Sequence, residues 1–257
     1  MYFFNHWRLC YNFRKRSGDE NLKSDYEITL DKNFDRALEL CSAEHSYDEL
    51  IGFLKDGNIP EKQFAALEIS ELKSQEDAGI FLSNLINCDG KIREAVAQKF
   101  SEFVGVKECR EYFYNYPDIL AKATIDINAN ISRMVIEGLT LMRDNEDFGS
   151  GYVSVLLEYI NEAFEGLDKI VFRDKKYTIN KQLFKLYWCL EGVSFYYKYL
   201  PVADLKRVLT KTLEQTEYTV REKAAQIIRN IDDENFSDIK AQILKDDNYY
   251  IKRIIGD

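Results

Sequence analysis

The chain has 257 residues, 46% of them hydrophobic and 31% charged, with a net charge of −9. That mixture can build a packed core, which argues against a disordered chain. The acidic balance repels a phosphate backbone and so argues against a general nucleic-acid binder.

Only three prolines and twelve glycines occur. A strand-rich fold needs more turn residues than this, so the composition points to long helices. The five cysteines, Cys10, Cys41, Cys88, Cys109 and Cys189, never form a C-x-x-C pair. Neither a zinc site nor a disulfide framework fits that spacing, and buried thiols in a reducing cytoplasm are the expectation. No apolar run is long enough for a membrane-spanning helix.

In chain order, residues 1–46 read as an N-terminal segment with a capping helix. The segment opens with Tyr2, Phe3, Phe4 and Trp7, followed by Arg14, Lys15 and Arg16. Basic residues placed after the aromatic stretch do not make a secretory signal. They fit a cap over the first repeat or, as the alternative, contact with an anionic membrane surface.

From Tyr47 onward the chain alternates two kinds of helix. The first kind is a short amphipathic stretch, expected at 47–55, 78–87, 153–164, 202–213 and 236–245. The second kind carries a recurring phrase. One copy is Ile92-Arg93-Glu94-Ala95-Val96-Ala97-Gln98-Lys99-Phe100 and another is Val220-Arg221-Glu222-Lys223-Ala224-Ala225-Gln226-Ile227-Ile228. Further copies start at Glu61, Ile131, Ile179 and Ile251, so successive copies lie 31 to 48 residues apart. That spacing brackets the two-helix period of helical repeats, roughly 30–47 residues.

Asp56-Gly57-Asn58 and Asp89-Gly90 read as helix–turn–helix joints, with Gly supplying a positive φ. Pro60, Pro117 and Pro201 fall at helix starts, where the missing N–H costs nothing. Two stretches lengthen the period. Residues 144–151 read as a polar, glycine-containing loop, and residues 168–178 as an insertion able to hold a short hairpin.

The turn, the apolar-Arg pair, the small apolar residues and the closing apolar pair together resemble HEAT-type repeats, in the broad sense that includes armadillo-like relatives. Asp89 to Phe103 is the best copy and Tyr218 to Ile231 the next; the Ile179 copy lacks the Arg. The similarity covers residues 47–257. It implies an all-α, right-handed α–α superhelix of about five helix pairs. It implies an architecture and not an activity.

His6 and His45 are the only histidines, and the sequence holds no phosphate loop, nucleophile elbow or metalloprotease helix. No catalytic residue, metal or cofactor is expected. The favoured reading is a non-catalytic scaffold or adaptor that binds another protein or peptide. Arg93, Arg133 and Arg221 would form a ladder for charge selectivity, with internal pairing to neighbouring acids as the other role open to them. Tyr187, Trp188, Tyr196 and Tyr197 would supply apolar anchors. The alternative is a DNA-alkylation-repeat-like glycosylase using Trp188 and Glu191 around a damaged base. A tetrapyrrole-lyase-like protein with an apolar groove is a third option.

Overall fold

The structure is a computed structural model that describes residues 25–169 and 176–256. The aromatic and basic start of the N-terminal segment, Cys10 and residues 170–175 of the stretch read as an insertion lie outside the described residues, while Asp168 and residues 176–178 are helical.

The described chain is all-helical, as its few breakers and its periodicity require. Fourteen α-helices occur among the described residues. They are α1 (Asp25–Cys41), α2 (Tyr47–Asp56), α3 (Ile59–Glu68), α4 (Gln75–Ser83), α5 (Gly90–Phe103), α6 (Lys107–Phe113), α7 (Pro117–Thr124) and α8 (Ala129–Leu139). The remainder are α9 (Glu146–Asp168), α10 (Lys176–Tyr196), α11 (Val202–Leu213), α12 (Tyr218–Arg229), α13 (Ser237–Ile243) and α14 (Tyr249–Gly256). No helix is long and apolar enough to cross a membrane.

The chain divides into two compact units, the first ending at Phe113 and the second beginning at Tyr114. In the first, α2 packs on α3 and α4, α3 on α5, and α4 on α6, while α1 lies against α3. In the second, α9 packs on α7 and α10, α10 on α12, α11 on α12 and α13, and α12 on α14. Contacts to the next helix and the next but one are what two stacked layers produce when each helix needs its neighbours to bury one face.

The recurring phrase explains itself in this packing. Its small residues, Ala65 and Ala66, Ala95 and Ala97, and Ala224 and Ala225, are all buried and let neighbouring helices approach closely. Its bulky ninth residues, Ile69, Phe100 and Ile228, are fully buried and fill the spaces between. Around Phe100 the first unit gathers Phe81, Phe103 and Phe113, with ring centroids 5.2 Å apart for Phe100 and Phe113. Around Tyr152 the second gathers Phe148 and Tyr196, the two tyrosine rings 4.9 Å apart.

Local polar chemistry starts the helices where the sequence suggests. Ser46 with Glu49, and Asn58 with Glu61, form reciprocal capping boxes, and Asp89 accepts from the amides of Lys91 and Ile92. His45 sits in the turn before α2, its Nε2 3.1 Å from the Leu40 carbonyl oxygen and its ring edge-on to Phe53 and Phe64.

Three expectations are corrected. Residues 146–151 are the first turns of α9 and not a loop. Asn145 caps that helix through the Phe148 amide, and its two early glycines are packing positions. A Cβ on Gly149 would lie 2.3 Å from the Tyr199 ring, and one on Gly151 would lie 3.1 Å from Pro117. The short helices α6 and α7 were not foreseen, because seven and eight residues are too few to display a helical period. Gly57 does not use a positive φ; its backbone is extended, with φ −67° and ψ 162°. It is required because a Cβ there would come within 2.4 Å of the Phe53 carbonyl oxygen.

Gly57→Ala is therefore expected to destabilise the protein by about 1–3 kcal/mol, since backbone must move to make room. Gly52 lies within α2, where a Cβ meets no atom within 4 Å. Gly52→Ala is expected to stabilise by about 0.5–1 kcal/mol. Urea unfolding of the two variants beside the parent chain checks the difference in sign.

Candidate partner-binding groove

The second residue of the recurring phrase has a shared task. Arg93 Nη1 donates to the carbonyls of Asn87 and Cys88, six and five residues earlier, at 2.8 and 3.1 Å. Arg221 Nη1 donates to the carbonyls of Gln215 and Thr216, again six and five residues earlier, both at 2.9 Å. Ser132 holds the same place in α8 and its hydroxyl donates to Asp126, also six residues back, at 3.1 Å. Lys62 holds it in α3 and donates to Leu54 and Lys55 at the end of α2. Each side chain satisfies carbonyls left without helical partners where the preceding helix ends.

Arg221 is engaged further. Its Nε donates to Asp246 Oδ2 at 2.8 Å, and its Nη2 to Asp246 Oδ1 at 3.2 Å and Asp247 Oδ1 at 2.9 Å. With the two backbone carbonyls, all five N–H donors of the guanidinium are occupied, and the residue is 8% exposed. Burial pushes the Asp246 carboxyl pKa up. The hydrogen bond from Arg221 and that from the Asn248 amide outweigh burial and hold it below the ordinary carboxylate value. Arg133 is one place out of register, exposed, and donates only to Asn130 Oδ1 at 3.1 Å. Arg93 belongs to the first unit, and Arg133 and Arg221 to the second. Arg221 thus serves the stack and leaves no donor for a ligand.

The aromatic residues separate by depth. Tyr196 is buried, and its hydroxyl donates to the Leu139 carbonyl at 2.6 Å. Trp188 is also buried, edge-on to Phe184 and Tyr187 with centroids 6.1 and 5.2 Å away. Its Nε1 has no hydrogen-bond partner among the described residues. Tyr187 is half-buried, with the Lys223 ammonium 5.0 Å from its ring centre. Tyr197 reaches the surface, and its hydroxyl donates to the Asn230 carbonyl at 2.9 Å.

Tyr197 opens on a groove of about 590 Å³ in the second unit. Sites for small ligands fall in the same range of volume. One wall is Arg143 and Asp144, in the turn after α8. The floor is Glu191, Ser194 and Phe195 of α10, with Lys198 just beyond it. The other wall is Gln226 of α12 and Asn230 at its C-terminal cap. The helices α8, α10 and α12 each carry a copy of the recurring phrase. Tyr199 hydroxyl donates to the Arg143 carbonyl at 2.8 Å, so Tyr196, Tyr197 and Tyr199 tie the end of α10 to both walls.

The charges are arranged. Glu191 pairs with Lys223, whose side chain is itself 12% exposed. Burial pushes the Lys223 pKa down, but Glu191 reverses this and holds it above the usual lysine value. Lys198 lies 3.6 Å from Asp144 and 4.9 Å from the centre of the Tyr199 ring.

Of the residues expected to bind a partner, Tyr197 lies in the groove and Tyr187 is joined to it through Lys223. Arg143, Asp144, Phe195, Lys198, Gln226 and Asn230 were not singled out as binding residues. One signal was available: Tyr187, Glu191, Phe195 and Tyr199 share a helical face. Glu191 and Phe195 do face the groove. Tyr199 leaves it because α10 ends at Tyr196 and the chain tightens into a 3₁₀ turn.

Comparison with known proteins adds little. No family model and no curated protein matches the chain. A crystal structure of an engineered protein superposes over 83% of this chain and 94% of its own, with a TM-score of 0.43 and 12% identity. Nothing about function follows from a likeness of that size.

Removing Arg221 leaves Asp246, whose side chain is 8% exposed, without its counter-charge. Arg221→Ala is expected to lower stability by about 3 kcal/mol at neutral pH. A depressed folded pKa gives stability that is present above the unfolded value and lost as pH falls through the folded value. In the variant, burial of Asp246 is opposed by the Asn248 amide but no longer by Arg221, so its pKa rises and acid unfolding should begin at a higher pH than in the parent. Denaturant melts from pH 7 down to pH 3 measure both effects.

Proposed function

We propose that this protein is a non-catalytic adaptor that binds another protein or peptide through the groove on α8, α10 and α12. In this reading the chain is a HEAT-type right-handed α–α superhelix of about five helix pairs, working in a reducing cytoplasm. The observation that carries it is the groove itself: an opening along the second helices, with both walls fixed by tyrosine hydroxyls. A preformed surface loses little conformational entropy on binding. The acidic composition favours a protein partner over a nucleic acid.

The glycosylase alternative is weaker at the same place. It asks Trp188 and Glu191 to face one opening. Glu191 lines the groove with its charge held by Lys223, while Trp188 is buried.

Affinity capture from the native cell tests the adaptor reading, with the full chain and a Phe195→Ala/Lys198→Ala variant run side by side. The expected result is a partner protein whose recovery drops about tenfold with the variant while both proteins melt alike. Equal recovery by both would remove the groove from the reading.

A further inference from the structure

The groove favours one kind of occupant, provided that it is the interaction surface proposed above. Three cations stand at it or beside it, Arg143, Lys198 and Lys223, against two acids, Asp144 and Glu191. Both acids are already engaged: Glu191 by Lys223 and Asp144 by Lys198. Arg143 is exposed, and its guanidinium forms no ion pair among the described residues. Its main chain is held in place by Tyr199, whose hydroxyl donates to the Arg143 carbonyl at 2.8 Å. The groove therefore presents one planar, anchored cation with its fork of donors unused. Phe195 stands with it, 36% exposed where a side chain of that size normally buries itself.

From this geometry we propose that the groove takes an acidic peptide segment. A Glu or Asp side chain of the segment seats on the Arg143 guanidinium, and an apolar neighbour lies on the Phe195 ring. The carboxylate matches the guanidinium fork with two parallel hydrogen bonds. A basic segment would meet two exposed cations and find both acids occupied. A polyanion such as a nucleic acid would feel the negative charge of the whole chain, whereas a single carboxylate at short range is screened from charges beyond about 10 Å at 0.1 M salt. The apolar neighbour gains by covering Phe195, which a free carboxylate could not do.

A random peptide-display library selected on the immobilised full chain tests the proposal. The peptides it enriches are then titrated against the intact chain and against Arg143→Gln, Arg143→Lys and Phe195→Ala, with circular dichroism to verify folding. The expected consensus is an acid next to a large apolar residue. Arg143→Gln should weaken binding about tenfold, Arg143→Lys by less, and replacing the peptide acid by its amide should add nothing to the Arg143→Gln loss. Peptides that lose affinity with Phe195→Ala but ignore Arg143→Gln, or that carry no acid, would overturn the acidic-segment proposal and leave the groove as the interaction surface. Peptides indifferent to both variants, or no enrichment at all, would overturn the groove reading together with the proposal.

Discussion

No helix in this chain can bury its apolar face alone, and every other feature follows from how that is solved. Within each unit the helices lean on neighbours one or two places along the chain. Small residues such as Ala97 and Ala225 and bulky ones such as Phe100 and Ile228 are fully buried in that packing. The recurring phrase is the record of that constraint: it places small and large side chains at the distances that stacked helices demand.

Close stacking creates a second demand. Where one helix ends and the next begins a few residues later, carbonyls lose their helical partners inside a packed structure. The second residue of the phrase supplies the missing donors. Arg93 and Arg221 reach back by the same five and six residues, Ser132 does it with a hydroxyl, and Lys62 with an ammonium. Different chemistries at one position share one physical requirement, a donor aimed at the end of the preceding helix. That requirement accounts for Arg93 and Arg221 without any ligand. It also explains why an arginine that recurs along a helical sequence is a poor guide to a binding surface.

The groove arises where these demands are relaxed. At the end of α10 the regular helix stops and the chain tightens, sending Tyr196, Tyr197 and Tyr199 in three directions to three carbonyls. Those hydroxyls pin the walls, so Glu191, Phe195 and Lys198 face an opening whose shape is set by core packing. Glycine contributes by proximity: Gly149 lets the Tyr199 ring lie against α9, and without that contact Tyr199 could not hold the Arg143 turn.

Composition and periodicity were sufficient for the helical class and for the second helices, because burial of one face prints its period on the residues. The cap at Asp89, the prolines at helix starts and the small-residue positions are equally local, and local chemistry is legible in order along the chain. The length of α9, the short helices α6 and α7 and the role of Gly57 were not legible, since each depends on which distant atoms come near. The same holds for the site. Tyr187, Glu191 and Phe195 declare a shared helical face, but only packing buries Trp188 and Tyr196, saturates Arg221 and leaves Arg143 exposed. A side chain's availability is the difference between its own bonding capacity and what its neighbours in space consume, and those neighbours are chosen by tertiary structure.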